Sequence, residues 1–241
     1  MLHPCSGPLK RARLDLATGT LTRGPSVNER AGNTIADLTN LDLGAYFGLE
    51  TGDGACEWID AATKGFASNA SDLVSDIVFA YCSVMLDPAS GGPGSSVLLG
   101  FYEGYAVGGP APTTNVALYN LTGLPGHNHA TSGSPFSGDL TCRYLHLDLA
   151  SCLAFADGPI GYSWRFMDHG TTNVLAGTFP VLSCVQSCTG AGPDGQGMVD
   201  LLDKFCPPGQ FVSTFTFTSP PPGSALSGDP FYTTSIAMDV V

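Results

Sequence analysis

The best spacing for metal chemistry in this chain is His127-Asn128-His129. Two histidines at i and i+2 of a strand point the same way, as the ligand pair of a cupin-like sandwich must. Yet the pair follows Leu124-Pro125-Gly126 and precedes Ala130-Thr131-Ser132-Gly133, a loop composition, and no glutamate comes soon after. His146 and His169 can join such a site only through folding. A structural role is the expectation, with no metal. The acidic loops Glu50-Thr51-Gly52-Asp53-Gly54 and Asp194-Gly195-Gln196-Gly197 place oxygen ligands beside glycines, as calcium requires. Neither has the spaced carboxylates of a helix-loop-helix calcium site, and Asp-Gly is ordinary turn chemistry.

Hydrolytic chemistry has few candidates. Glu57, Asp60 and Glu103 serve as a glycosidase pair only if two of them share a cleft. No Gly-x-Ser-x-Gly elbow, phosphate-cradling loop or dinucleotide fingerprint occurs. The reading is therefore a non-enzyme without a cofactor. The aromatics Tyr102, Tyr105, Tyr119, Tyr162, Trp164 and Phe166 offer a stacking platform for a surface glycan, although alternating aromatics in strands are more often core.

The cysteines point elsewhere. There are eight, scattered through the chain, and no CxxC pair suggests zinc. Cys56, Cys82, Cys142, Cys152, Cys184, Cys188 and Cys206 are read as disulfide cysteines of an oxidising compartment, extracellular or at a cell surface. On proximity in sequence, Cys142 is expected to pair with Cys152, and Cys184 or Cys188 with Cys206. No run approaches the roughly 20 apolar residues of a membrane helix.

What must position these residues is a sheet. The chain of 241 residues carries 31 glycines and 18 prolines, a load that suits short strands and tight turns. Strands are expected near 34–49, 55–63, 73–86, 95–105, 115–121, 141–149, 160–167, 173–183, 210–218 and 231–240. Ile77, Phe79 and Tyr81 alternate clearly, as do Phe211, Phe215 and Phe217. The best short-helix candidates are 59–64 and 198–204. About ten strands at this spacing predict an all-β fold, a β-sandwich of jelly-roll type over residues 33–241.

Residues 1–32 read as an extended arm. The net charge is −12, which argues against nucleic acid, but the first 30 residues carry +3 and the remainder −15. Lys10, Arg11, Arg13, Arg23 and Arg30 supply the arm's charge. Within it, Ala12, Leu14, Leu16 and Thr18 share one face of a strand that ends before Gly24-Pro25. A lone strand must add to some sheet, because its backbone polar groups have no other partner. Ala12, Arg13, Leu14, Leu16, Thr18 and Leu21 are thus the expected contact residues, and copies of the same chain the expected partners.

Several motifs carry a resemblance. Phe79-Ala80-Tyr81-Cys82, the loop Asp87–Ser95, Leu98-Leu99-Gly100-Phe101-Tyr102-Glu103-Gly104, Leu121-Thr122-Gly123-Leu124-Pro125-Gly126 and Asp157-Gly158-Pro159-Ile160-Gly161-Tyr162 are the segments concerned. Together they resemble a group of uncharacterised, glycine-rich secreted proteins of environmental bacteria. That resemblance implies an exported β-sandwich and no catalytic residues. With a strand-bearing arm ahead of a sandwich, the architecture is similar to pilus-like fibril subunits that polymerise by strand donation. It implies an extracellular structural subunit of a helical filament. The aromatics and acidic loops supply the alternative, a secreted carbohydrate-binding β-sandwich module, with or without calcium.

Overall fold

The computed structural model describes residues 2–4, 10–24, 33–37, 45–47, 56–62, 72–127, 141–156, 158–166, 178–184, 200–206, 210–217, 232–234 and 236–240. It is an all-β sandwich of two sheets. The strands are β1 (Leu2–Pro4), β2 (Lys10–Asp15), β3 (Thr20–Arg23), β4 (Asn33–Asp37), β5 (Ala45–Phe47), β6 (Glu57–Ala62), β7 (Asp72–Ser83) and β8 (Ser95–Glu103). They continue as β9 (Asn115–Leu124), β10 (Thr141–Phe155), β11 (Ile160–Phe166), β12 (Thr178–Cys184), β13 (Asp200–Phe205), β14 (Phe211–Phe217), β15 (Tyr232–Thr234) and β16 (Ile236–Val240). The first sheet has ten strands, in the order β1-β5-β12-β7-β10-β2-β3, with β15 on β12 and β16 joining β7 to β4. The second has six, in the order β14-β13-β6-β11-β8-β9.

Period-2 patterning explains how the sheets meet. On β7, Ile77, Phe79 and Tyr81 face inward and are at most 1% exposed, and on β10 Leu145 and Leu147 do the same. Val97, Leu99 and Phe101 of β8 and Trp58 of β6 meet them from the other sheet in one cluster. Phe101 and Phe155 touch edge to face across the gap, with ring centroids 6.2 Å apart. A smaller cluster of Ile59, Ala61, Tyr102, Tyr105 and Phe205 lies on the outer face of the six-stranded sheet.

Neither expected helix forms. Residues 57–62 and 200–205 are strands, and β13 pairs with β14 on one side and β6 on the other. Asp203 and Phe205 of β13 are both fully buried, a spacing of two that only a strand satisfies. Asp203 accepts hydrogen bonds from the Tyr105 hydroxyl, the Gly108 amide (2.7 Å) and Thr214 Oγ1 (2.5 Å). One carboxylate thus fastens the loop after β8 to the sheet.

The disulfides also differ from sequence proximity. Cys142 bonds Cys82, its directly opposite residue on β7, and Cys206 bonds Cys56. Cys142 and Cys152 stand on the same strand, ten residues apart, and so on the order of 30 Å from each other. Cys152 is an exposed free thiol. Cys5, Cys188 and the Cys184 side chain lie outside the described residues. The two bonds are compatible with an extracellular protein. Among the described residues, no helix is long and apolar enough to cross a membrane.

Candidate functional site: the N-terminal hairpin

The strand of the arm begins at Lys10 and stops at Asp15, short of Thr18. Asp15 Oδ1 accepts from the amides of Ala17 (2.8 Å) and Thr18 (3.1 Å), a side-chain-capped turn that reverses the chain. Gly19 completes the turn at φ 68°, which a side chain would strain. These bonds hold the Asp15 carboxyl below its usual pKa. Thr20–Arg23 then runs back as β3, placing Leu21 opposite Leu14. The arm therefore carries a hairpin, and Thr18 sits exposed at its tip.

The hairpin adds to the chain's own ten-stranded sheet. β2 lies parallel to β10, with Ala12 opposite Leu145, Arg13 opposite His146 and Leu14 opposite Leu147. The Leu16 amide extends the ladder to the Asp148 carbonyl at 2.9 Å. Ala12 is 1% exposed, and Leu14, Leu16 and Leu21 pack against the main core as half-buried residues.

Charge fixes both ends, basic arm on acidic body. Arg13 grips Asp148 with two bonds, Nε to Oδ2 at 2.5 Å and Nη2 to Oδ1 at 2.6 Å. Arg23 Nη2 reaches Asp87 Oδ1 at 2.6 Å. Asp87 is buried and also faces Arg143 Nη2 at 3.7 Å, so this second anchor is desolvated on the body side. Burial draws the Arg143 pKa down, against the pull of Tyr81 and Asp87.

An exposed pair such as Arg13–Asp148 is worth about 0.2–1 kcal/mol, whereas a hydrogen bond to a buried charge gives about 1.5–3 kcal/mol. Replacing Arg13 and Arg23 together with alanine is therefore expected to raise hydrogen exchange at the Leu14 and Leu21 amides about tenfold or more. The strands β6 and β11 should keep their protection. Equal loosening everywhere would mean that the two arginines do not hold the hairpin.

The other sequence candidates do not converge. Glu57 and Asp60 project from opposite faces of β6: Glu57 accepts from Tyr102 and Ser163 Oγ (2.6 Å), and Asp60 accepts from Tyr162 (3.2 Å) inside the sandwich. Glu103 accepts from the Ala156 amide at 3.3 Å, at the far end of β8. Burial, reinforced by the neighbouring carboxylates, drives the Tyr102 and Tyr105 pKa values up, so both phenols stay protonated donors. Tyr102, Tyr105, Tyr162 and Trp164 are all buried and form no exposed platform; Tyr119 is half-buried, and the Phe166 side chain lies outside the described residues. His127 is buried, its backbone bonded to Met85 and Asp87, while His129, His169 and both acidic loops lie outside the described residues.

Comparison with protein-family models, with curated proteins and with solved structures finds no match for this chain. The functional reading therefore rests on the residues themselves.

Proposed function

We propose that this chain is an extracellular structural subunit that polymerises into a pilus-like helical filament, each copy giving its N-terminal hairpin to the sheet edge of the next. The observation that carries the reading is the gap the hairpin's connection must cross. From Arg23 on β3 to Asn33 on β4 the path passes β2, β10, β7 and β16. Five inter-strand steps make about 24 Å. The register sets Arg23 level with Phe79 and Asn33 level with Val74, about 16 Å further along the strands.

The gap is thus about 29 Å over the sheet, against about 33–36 Å for ten fully extended residues. Docking a hairpin on its own body across so short a hinge invites exchange with a second copy. The same ladder, leucine contacts and arginine anchors are available from a neighbour's hairpin, so exchange sacrifices no contact. Backbone pairing supplies affinity, and the alternating side chains supply register. Repeated head to tail, a heterologous contact of this kind grows a helical filament.

Cross-linking tests the proposal. Leu14 and Leu147 stand opposite each other in the register. Leu14→Cys and Leu147→Cys, made in separate chains that also carry Cys152→Ser, are mixed at high concentration and oxidised. Strand donation yields covalent pairs containing one chain of each kind, above the level seen with either chain alone. If the bond forms only when both substitutions occupy one chain, and that chain runs as a monomer, the hairpin stays at home and the proposal fails.

A further inference from the structure

On the outer face of the ten-stranded sheet, three ligating side chains converge without serving the core. His146 and Asp148 are two apart on β10 and share a face; Asp76 of β7 is directly opposite Asp148. His146 Nε2 lies 2.7 Å from Asp76 Oδ1 and 3.5 Å from Asp148 Oδ1. One ligand atom from each of the three falls within 4.8 Å of the others. The imidazole side chain is 10% exposed and the carboxylates 22% and 23%, so the histidine is fixed while solvent still reaches the acids.

We propose that Asp76, His146 and Asp148 bind a divalent transition-metal ion of the zinc type, one imidazole nitrogen and two carboxylate oxygens completing part of its shell and water the rest. A metal–ligand bond of about 2.0–2.1 Å in tetrahedral geometry separates neighbouring donor atoms by about 3.3 Å. The two donor separations from His146 bracket that value, each within about 0.6 Å of it, and the three donor atoms all lie within 4.8 Å of one another. An imidazole donor favours zinc, nickel or copper over calcium, magnesium and manganese, which prefer oxygen.

The register supplies a second reason. Asp148 and Asp76 stand directly opposite each other on β10 and β7. Like charges directly opposite in a sheet are destabilising, and a cation between the two carboxylates relieves that repulsion. Hydrogen bonding compensates in part: the Ser75 hydroxyl donates to Asp76 Oδ2 at 2.6 Å, and the His146 imidazole faces Asp76 Oδ1. Arg13, brought by the hairpin, meets the rest of the charge at Asp148. The guanidinium is consequently a competitor of the metal for Asp148 Oδ1.

Calorimetric titration of the full chain carrying Cys152→Ser with zinc chloride tests the site, with cobalt(II) absorption as the spectroscopic readout. One equivalent should bind saturably. His146→Gln and Asp76→Asn should each weaken binding about a hundredfold or more, beyond the 10–100-fold loss that follows removal of an outer-shell partner. Both should also erase the cobalt bands while leaving the far-ultraviolet circular dichroism unchanged. Arg13→Ala, which leaves all three ligands in place, should tighten zinc roughly threefold to tenfold by removing one nearby positive charge. No saturable binding up to millimolar zinc would overturn the proposal and leave the cluster an ion-pair network. Binding that survives both ligand substitutions would overturn it equally, placing the metal elsewhere.

Discussion

Replacing Cys56 and Cys206 with alanine is expected to lower the unfolding free energy by about 4–5 kcal/mol. The bond spans 150 residues and ties β6 to the end of β13, so it closes most of the chain into one loop. A cross-link acts chiefly by restricting the unfolded chain, and the restriction grows with the logarithm of loop length. The inner bond, Cys82–Cys142, spans 60 residues within that loop and shortens it only in part. In urea the midpoint should fall, with the slope shifting as the unfolded state expands. A loss below about 1 kcal/mol would mean that the unfolded chain is already compact around this pair.

Asp87→Ala is expected to cost about 3–5 kcal/mol, the range for stranding one partner of a buried ion pair. Asp87 is 1% exposed and works with both oxygens. Oδ1 caps the turn at Pro88–Ser90 through the Ala89 amide (2.8 Å) and holds Arg23; Oδ2 accepts from the Gly126 amide (3.0 Å) and faces Arg143. Arg143, with a 5% exposed side chain, is then left with its bond to the Gly126 carbonyl (2.6 Å) as compensation for its charge. A larger residue than glycine at 126 is no remedy, since a Cβ there would lie 1.9 Å from the Met85 carbonyl oxygen. The double variant Asp87→Ala with Arg143→Met removes the stranded charge as well. It should recover a measurable part of the loss in urea denaturation. If the double variant is less stable than Asp87→Ala alone, the charge of Arg143 is not what makes the single substitution costly.

What the sequence revealed follows from which interactions are local. Ile77, Phe79 and Tyr81 alternate over five residues, and that period alone assigns them to the core, where they are found. Tyr162 and Trp164 were legible as core for the same reason. The Leu201-Leu202 pair of β13 mimics a helical stripe, and only the partners β6 and β14, far away in sequence, make it a strand. The disulfides were illegible because pairing depends on strand register: Cys142 finds Cys82 across a ladder that no sequence spacing encodes. The hairpin was half legible. Its apolar face at Ala12 and Leu14 was readable, but the reversal depends on the Asp15 carboxylate and on Gly19. His146-x-Asp148 is visible as an i, i+2 pair, whereas its third ligand comes from β7 and appears only with the fold.

The most direct measurement of the central claim is the particle mass, by light scattering, of the intact chain beside a chain lacking residues 1–24. Strand donation requires that the intact chain form polymers growing with concentration and that the shortened chain remain without them. An intact chain that stays at 24.9 kDa at every concentration, or a shortened chain that polymerises equally well, would contradict it.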